Sequence, residues 1–247
     1  MVLAAGLGTR LRPLTNHRPK TLVEVAGRTL LDLTLARLRA FGISEVIVNV
    51  HHFADMVVDS LAANNNFGMR IEISREEQLL DTGGGLKKAA WFFLEDSPNR
   101  EEPFLLHNVD VLSTIDLARM ARFHKERNAL ATLAVQHRPT SRPLLFDRQG
   151  QFQGRGPKPG SSGEPAQPES TFEALAFSGI HVISPRIFAQ MPESGAFSII
   201  DTYVRLAAQG EPIAAFRADN FYWRDLGKPE NIAQAESDVA EGIYLLD

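Results

Sequence analysis

In residues 3–15, LAAGLGTRLRPLT, a short apolar run passes straight into Gly6-Leu7-Gly8-Thr9-Arg10. Glycines at the end of a strand let backbone N–H groups come close to a phosphate chain, so the segment predicts a cradle for a polyphosphate. It is not a Walker loop, because the Gly-Lys-Ser/Thr ending is missing. It is not the dinucleotide fingerprint either, because Leu11 stands where the third glycine belongs. Arg10, Arg12 and the Pro19-Lys20 pair put fixed cations on the same connecting segment, which suits an anionic ligand.

Outward from this loop, apolar β-rich runs alternate with segments of helical period. Strands are predicted at Met1–Ala5, Glu45–Val50, Arg70–Ser74, Phe104–Asn108, Ala129–Gln136, Thr171–Ile183 and Pro212–Arg217. The first is short for a buried strand, so Met1 reads as a misassigned or trimmed start. Thr29-Leu30-Leu31-Asp32 has the form of a capping box, with Leu31, Leu35 and Leu38 on one face of the helix that follows and Gly42 beyond its end. Further helices are predicted over Gly84–Leu94, Asp116–Arg127, Ile200–Gln209 and Lys228–Leu245. The alternation implies an α/β fold, a single domain over residues 1–247 with a mostly parallel sheet flanked by helices. Residues 154–170, GRGPKPGSSGEPAQPES, are too polar for a core and read as a mobile surface loop bordering the site.

Composition narrows the function classes. A net charge of −4 provides no global attraction to nucleic acid or anionic lipid, so any anion site must be local. No apolar run approaches the roughly 20 residues of a membrane span. The N-terminus lacks the pattern of a signal peptide, and with no cysteine there is no disulfide framework. A cytoplasmic protein with neither a nucleic-acid nor a membrane partner is expected.

The longer string LAAGLGTRLRPLTNHRPKTLVEVAGRTLL, residues 3–31, closely resembles the signature LxxGxGTRLxPLTxxxPKxLxxVxxxPLL of the sugar-1-phosphate nucleotidyltransferases, with Thr29 in place of its last proline. That resemblance implies a Rossmann-like nucleotidyltransferase fold and transfer of a nucleotidyl group from a nucleoside triphosphate to a sugar 1-phosphate. Carried over, Leu3, Ala4, Gly6, Gly8 and Thr9 bind the nucleotide, while Arg10 and Lys20 neutralise charge at the reacting phosphates. Attack of one phosphate anion on another needs charge neutralisation and in-line positioning more than a protein nucleophile.

Gln78-Leu79-Leu80-Asp81-Thr82-Gly83-Gly84-Gly85 occupies the place of the family's base-recognition segment, which nominates Gln78, Thr82 and Gly83, with Glu77 competing for the side-chain role. The alternative is a plain glycine turn opening a helix. His107-Asn108-Val109-Asp110 ends a strand where ligands gather in open parallel sheets. The family writes Asn-Gly-Asp here, so Asn108 is assigned to the sugar and Asp110 to magnesium, with Val109 a departure. Trp223-Arg224-Asp225-Leu226-Gly227 matches the family's W-x-D-x-G and makes Asp225 the second magnesium ligand, against a helix-capping alternative. Phe177-Ser178-Gly179-Ile180 resembles the segment beside the sugar pocket and nominates Gly179, against a sheet bulge. Adjacent His51 and His52 point opposite ways on a strand and lack a third ligand, so they read as structural.

Within the family, LLDTGGG, FSGIHV and FSIID most resemble N-acetylmuramate-1-phosphate uridylyltransferases of cell-wall recycling, implying UTP as donor. Guanylyl transfer to heptose or mannose 1-phosphate, cytidylyl transfer to phosphocholine and a catalytically silent homologue stand as alternatives. A dinucleotide-dependent oxidoreductase would need the complete glycine fingerprint and an acidic residue ending the second strand. Asn49 and the histidines stand there.

Overall fold

The structure is a computed structural model that describes residues 1–95, 101–157 and 172–246. Its strands are β1 (Val2–Leu3), β2 (Glu24–Val25), β3 (Arg28–Thr29), β4 (Glu45–Val50), β5 (Arg70–Arg75), β6 (Phe104–Asn108) and β7 (Val111–Ser113). They continue with β8 (Ala131–Gln136), β9 (Leu144–Phe146), β10 (Phe152–Arg155), β11 (Glu173–Ile183), β12 (Ile213–Arg217) and β13 (Trp223–Asp225). The helices are α1 (Leu30–Ala40), α2 (Ala54–Ala63), α3 (Asp81–Lys88), α4 (Ala90–Leu94), α5 (Leu117–Glu126), α6 (Ile199–Ala208) and α7 (Pro229–Ala240).

The expected α/β architecture is present. Its sheet runs β10-β9-β11-β6-β1-β4-β5, with β8 paired to β11 and β12. The half that carries the glycine loop is parallel: β1 lies between β4 and β6, and β5 flanks β4. The long β11 is inserted antiparallel to β6, β8 and β9. β1 can be two residues long because it is buried on both sides. Val2 pairs Val48 on one flank and His107 on the other. The predicted strand Met1–Ala5 shortens because Ala4 donates its N–H to the Asn49 side chain, at 2.7 Å, instead of to a neighbouring strand.

Helices cover both faces. Leu31, Leu35 and Leu38 of α1, Val57 and Leu61 of α2, Met120 of α5 and Ala235 of α7 share one apolar cluster. Leu86 of α3, Phe92 and Phe93 of α4, and Tyr203 and Leu206 of α6 belong to the other. The Thr29 hydroxyl caps α1 by accepting from Asp32 N at 3.1 Å, as the capping box predicts. Asp116 caps α5 in the same manner, accepting from Arg119 N at 2.8 Å.

Several elements differ from the expectations, among them the last helix, which ends at Ala240 and not at Leu245. The single helix predicted over Gly84–Leu94 is two, broken at Ala89, and begins earlier, at Asp81. The predicted loop at 154–170 overlaps β10, which runs to Arg155, and residues 158–170 lie outside the described residues. Helix α2 follows Phe53, held at a φ of 56° with no side-chain cap, so no start signal announces it. The two-residue strands β2 and β3 and the three-residue β7 and β13 are too short for periodicity to show. No helix among the described residues is long and apolar enough to cross a membrane.

Candidate active site

β1, β4 and β6 end at one edge of the sheet, where they meet a cleft of about 460 Å³. Leu3, Ala4, Gly6 and Lys20 line it from the loop side, and Asn108, Val109 and Asp110 from the end of β6. Thr82 and the buried Glu76 close the opposite wall. A wider depression of about 910 Å³, lined by Arg119, Arg122, Arg127 and Arg148, lies at α5 and β12. It holds none of Gly6, Lys20 and Asp110, all of which line the smaller cleft.

The loop has the geometry of an anion cradle. Among the described residues, the N–H groups of Gly6, Leu7 and Gly8 donate to no protein acceptor, whereas Gly8 O is held by Leu11 N at 2.9 Å and by the Thr15 hydroxyl at 2.8 Å. Gly8 sits at a φ of +64°, and a Cβ there would lie 2.9 Å from Thr15 Cγ2 and 3.0 Å from Lys20 Cβ. Glycine is thus required twice, for its left-handed backbone and for the close approach of Lys20. Thr9 and Arg10 are exposed in the short 3-10 turn that follows.

Lys20 Nζ donates to Asp110 Oδ2, and both side chains are mostly shielded from solvent, 12% and 16% exposed. Asp110 lies in the turn between β6 and β7, and its backbone C=O accepts from Leu226 N at 2.8 Å. Next to it, β7 and β13 pair antiparallel with Asp225 opposite Val111. The two aspartates nominated from distant motifs therefore come together: Asp225 pairs with Val111, the residue after Asp110, and Asp110 lines the cleft. Asp225 does not cap the last helix, whose N-cap is Lys228. Its Oδ1 accepts from Gly227 N at 2.6 Å. Arg10 Nη2 and Asp225 Oδ1 each lie 2.6 Å from where a Cβ on Gly227 would fall, so this glycine lets the guanidinium reach the carboxylate's side.

Gly179 forms the sheet bulge that is its alternative reading. It sits at a φ of +76° in a bulge of β11, and a Cβ there would come 3.0 Å from Asn108 Nδ2. The bulge thus brings the β11 backbone close to Asn108. Val109 is 4% exposed and packs in the core beneath the cleft, with its C=O accepting from the Thr34 hydroxyl at 3.3 Å.

The T-G-G-G segment departs most from expectation. Gln78 and Glu77 are exposed and do not line the cleft. Gly83 N donates to Phe197 O at 2.9 Å, and the Thr82 hydroxyl accepts from Ile199 N at 3.0 Å. Gly83 is therefore a packing glycine against Phe197, and its N–H is already used. Glu76 occupies the wall instead. One of its oxygens accepts from Asn49 Nδ2 at 2.7 Å, and the other from Leu80 N at 2.9 Å. Asn49, in turn, accepts from Ala4 N, so one chain of hydrogen bonds ties the phosphate-loop strand to the opposite wall. Histidines 51 and 52 play no part as ligands. His51 Nδ1 bonds Glu76 O at 2.8 Å, and His52 packs on Phe53 with ring centroids 3.9 Å apart.

Arg138 has no sequence signal. Its guanidinium lies 3.6 Å over the Trp223 ring and donates to Phe177 O at 2.7 Å, while Trp223 Nε1 donates to Ser178 O at 2.7 Å. Burial holds its pKa below the ordinary value, and Asp225 beside it pulls the other way. Beneath the site, burial pushes His107 down to about 4 and His181 to about 3, so both are neutral near pH 7.

Comparison with known proteins gives the family. The Nucleotidyl transferase family matches residues 1–242. The N-acetylmuramate alpha-1-phosphate uridylyltransferase of Caulobacter vibrioides is 37% identical over 98% of this chain and 96% of its own. The UTP–glucose-1-phosphate uridylyltransferase of Synechocystis is 27% identical over 95% of this chain, which spans only 61% of that protein's length. The fold is shared with the solved UDP-glucose pyrophosphorylase of Acinetobacter baumanii, at a TM-score of 0.79 with 19% identity over 99% of this chain and 94% of that one. With the glycine loop, its two cations and the paired carboxylates at one sheet edge, the chain belongs to the nucleotidyl transferase family and is an enzyme of that class.

Proposed function

We propose that the enzyme transfers a uridylyl group from UTP to N-acetylmuramate 1-phosphate, forming the nucleotide sugar and releasing pyrophosphate. The observation that carries the chemistry is the convergence of Lys20, Asp110 and Asp225 beside loop amides that have no protein acceptor. A phosphate oxygen of the sugar 1-phosphate attacks the α-phosphorus of the triphosphate, and the bond to the bridging oxygen of the departing pyrophosphate breaks. The amides of Gly6, Leu7 and Gly8 hold the departing phosphates. Arg10 and Lys20 offset the negative charge that builds as two anions meet. Asn108, with the room that Gly179 leaves, receives the sugar. The retained Arg10, Lys20, Asp110 and Asp225 argue against a catalytically silent homologue.

Magnesium suits the donor set. Asp110 and Asp225, brought together by the β7–β13 pairing, are hard oxygen donors. One or two carboxylates are what magnesium takes when substrate phosphates and water complete its octahedron. Asp110 and Asp225 would hold it, and when bound it supplies divalent positive charge to both substrates' phosphates.

Glu76 supports a base with a ring N–H. Its anchored carboxylate accepts hydrogen bonds, matching uracil N3–H or guanine N1–H and leaving cytosine's ring nitrogen, an acceptor, without a donor. Uracil and the muramic sugar are chosen over guanine and mannose or heptose on the similarity to the Caulobacter enzyme. We place the reaction in the cytoplasm, where nucleoside triphosphates are made. Pyrophosphate release measured for UTP, GTP, CTP and dTTP against N-acetylmuramate, glucose, mannose and heptose 1-phosphates tests the assignment. The highest kcat/KM is expected for UTP with N-acetylmuramate 1-phosphate. A higher value for GTP with every sugar would overturn it in favour of guanylyl transfer.

A further inference from the structure

Resting on the reading above, we propose that Lys20 occupies the metal's place on Asp110 in the free enzyme, so that a divalent cation binds tightly only after a nucleotide's phosphates have drawn Lys20 away. Lys20 Nζ already satisfies Asp110 Oδ2, in a position where water reaches little of either side chain. While that contact persists, an incoming cation finds Asp225 alone, and one of that residue's oxygens is already held by Gly227 N.

The surroundings let Lys20 move while Asp110 stays. The Asp110 backbone is pinned to Leu226, and Asp225 is pinned by the β7–β13 ladder, so neither carboxylate needs to shift. The Lys20 backbone is equally fixed, following the buried Pro19 and opening a 3-10 turn, but beyond Cβ its stem carries the rotatable bonds that let an ammonium change partners. That stem runs against Gly8, 3.0 Å from where a Cβ would stand. A phosphate held by the loop amides is therefore within the ammonium's swing. Transfer of Lys20 from carboxylate to phosphate keeps the ammonium neutralised and exposes Asp110 as the cloud of negative charge around it grows. Nucleotide and metal are thus coupled through one lysine, and by linkage each raises the other's affinity by the same factor.

Manganese is the probe, because its free ion is counted directly by electron paramagnetic resonance without turnover. Wild-type enzyme should bind Mn²⁺ weakly alone and tightly with a non-hydrolysable α,β-methylene UTP analogue. Lys20→Met should bind Mn²⁺ at least tenfold more tightly than wild type without nucleotide, about 1.4 kcal/mol. Lys20→Arg, which keeps the charge, should stay near wild type. An unchanged nucleotide-free affinity in folded Lys20→Met overturns the proposal. Asp110→Asn gives an independent reading should Lys20→Met fail to fold. Its nucleotide-free Mn²⁺ affinity should fall less than threefold, because Lys20 already blocks the carboxylate, while affinity in the presence of the analogue falls at least tenfold. Equal losses in both states also overturn the exchange but keep the metal site. No loss in either state refutes the metal site itself and with it the reading above.

Discussion

Replacing Gly85 with alanine separates packing from propensity. In an ordinary helix the change stabilises by about 1 kcal/mol. Here the added methyl would stand 2.7 Å from Glu76 Oε1 and 2.8 Å from Asn49 Nδ2, two atoms that bond each other at 2.7 Å. Both partners are buried, 5% and 3% exposed. Losing a hydrogen bond to a carboxylate costs about 1.5–3 kcal/mol, and forcing a methyl into a filled site costs about 1–3 kcal/mol. Set against the propensity gain, the net loss is about 2–5 kcal/mol, a fall in melting temperature on the order of 5–15 °C for a domain of this size. The damage should also reach catalysis, because Asn49 holds Ala4 at the foot of the phosphate loop. The matched control is Gly6→Ala, where a Cβ meets nothing within 4 Å but stands on the cleft wall. That variant should melt like wild type and raise the KM for the nucleotide. Thermal melts followed by circular dichroism decide the matter. A Gly85→Ala protein that melts at or above the wild-type temperature would refute the reasoning.

Lys20→Ala, checked for folding, should lower kcat by about 100- to 1,000-fold in a pyrophosphate-release assay, as removal of one preorganised charge donor does elsewhere. Near-normal turnover would take Lys20 out of the mechanism. Val109→Gly restores the family's residue but empties a core position, so urea denaturation should show a loss of about 2–3 kcal/mol. Acid should destabilise the fold through His107 and His181. Their folded pKa values lie below the ordinary 6.5, so the unfolded chain binds more protons, and stability present above pH 6.5 is lost as pH falls toward 4. His181→Gln should flatten that slope in denaturant midpoints measured between pH 7 and 4, and an unchanged slope would assign the acid sensitivity elsewhere.

The elements that the residues themselves announce are those whose signal is local. Glu45–Val50 forms its strand at the expected limits because its β-branched run Val46-Ile47-Val48 is the near-continuous apolar core of a strand buried in a parallel sheet, and Thr29 caps its helix with a side chain three residues from its partner. Signature positions carried Lys20, Asp110 and Asp225 to one place for the same reason, since each lies at the end of a recognisable segment. What spacing could not reveal is pairing between distant side chains. Glu76 carries no sequence signal that separates it from Glu77 and Gln78, and only its bonds to Asn49 and Leu80 set it inward. Arg138 had no motif around it, and its place follows from Trp223, whose strand is three residues long. The run Gly83-Gly84-Gly85 reads as a base-recognition segment or a glycine turn, yet all three positions are tightly filled, by Phe197, by the Gly195 carbonyl and by the Glu76–Asn49 pair.

The contact between α3 and the segment before α6 has a consequence for how this enzyme can change. Gly83 N donates to the Phe197 carbonyl and the Thr82 hydroxyl accepts from Ile199 N, so one wall of the nucleotide cleft is tied to a segment more than a hundred residues away in the chain. A larger residue at position 83 collides with the Phe197 ring unless position 197 shrinks first. Laboratory evolution toward a bulkier base should therefore move in a fixed order. A change at 197 comes first, as a permissive step, and only then does substitution at 83 become viable, while Gly84 and Gly85, packed against the Gly195 carbonyl and the Glu76–Asn49 pair, stay closed to it.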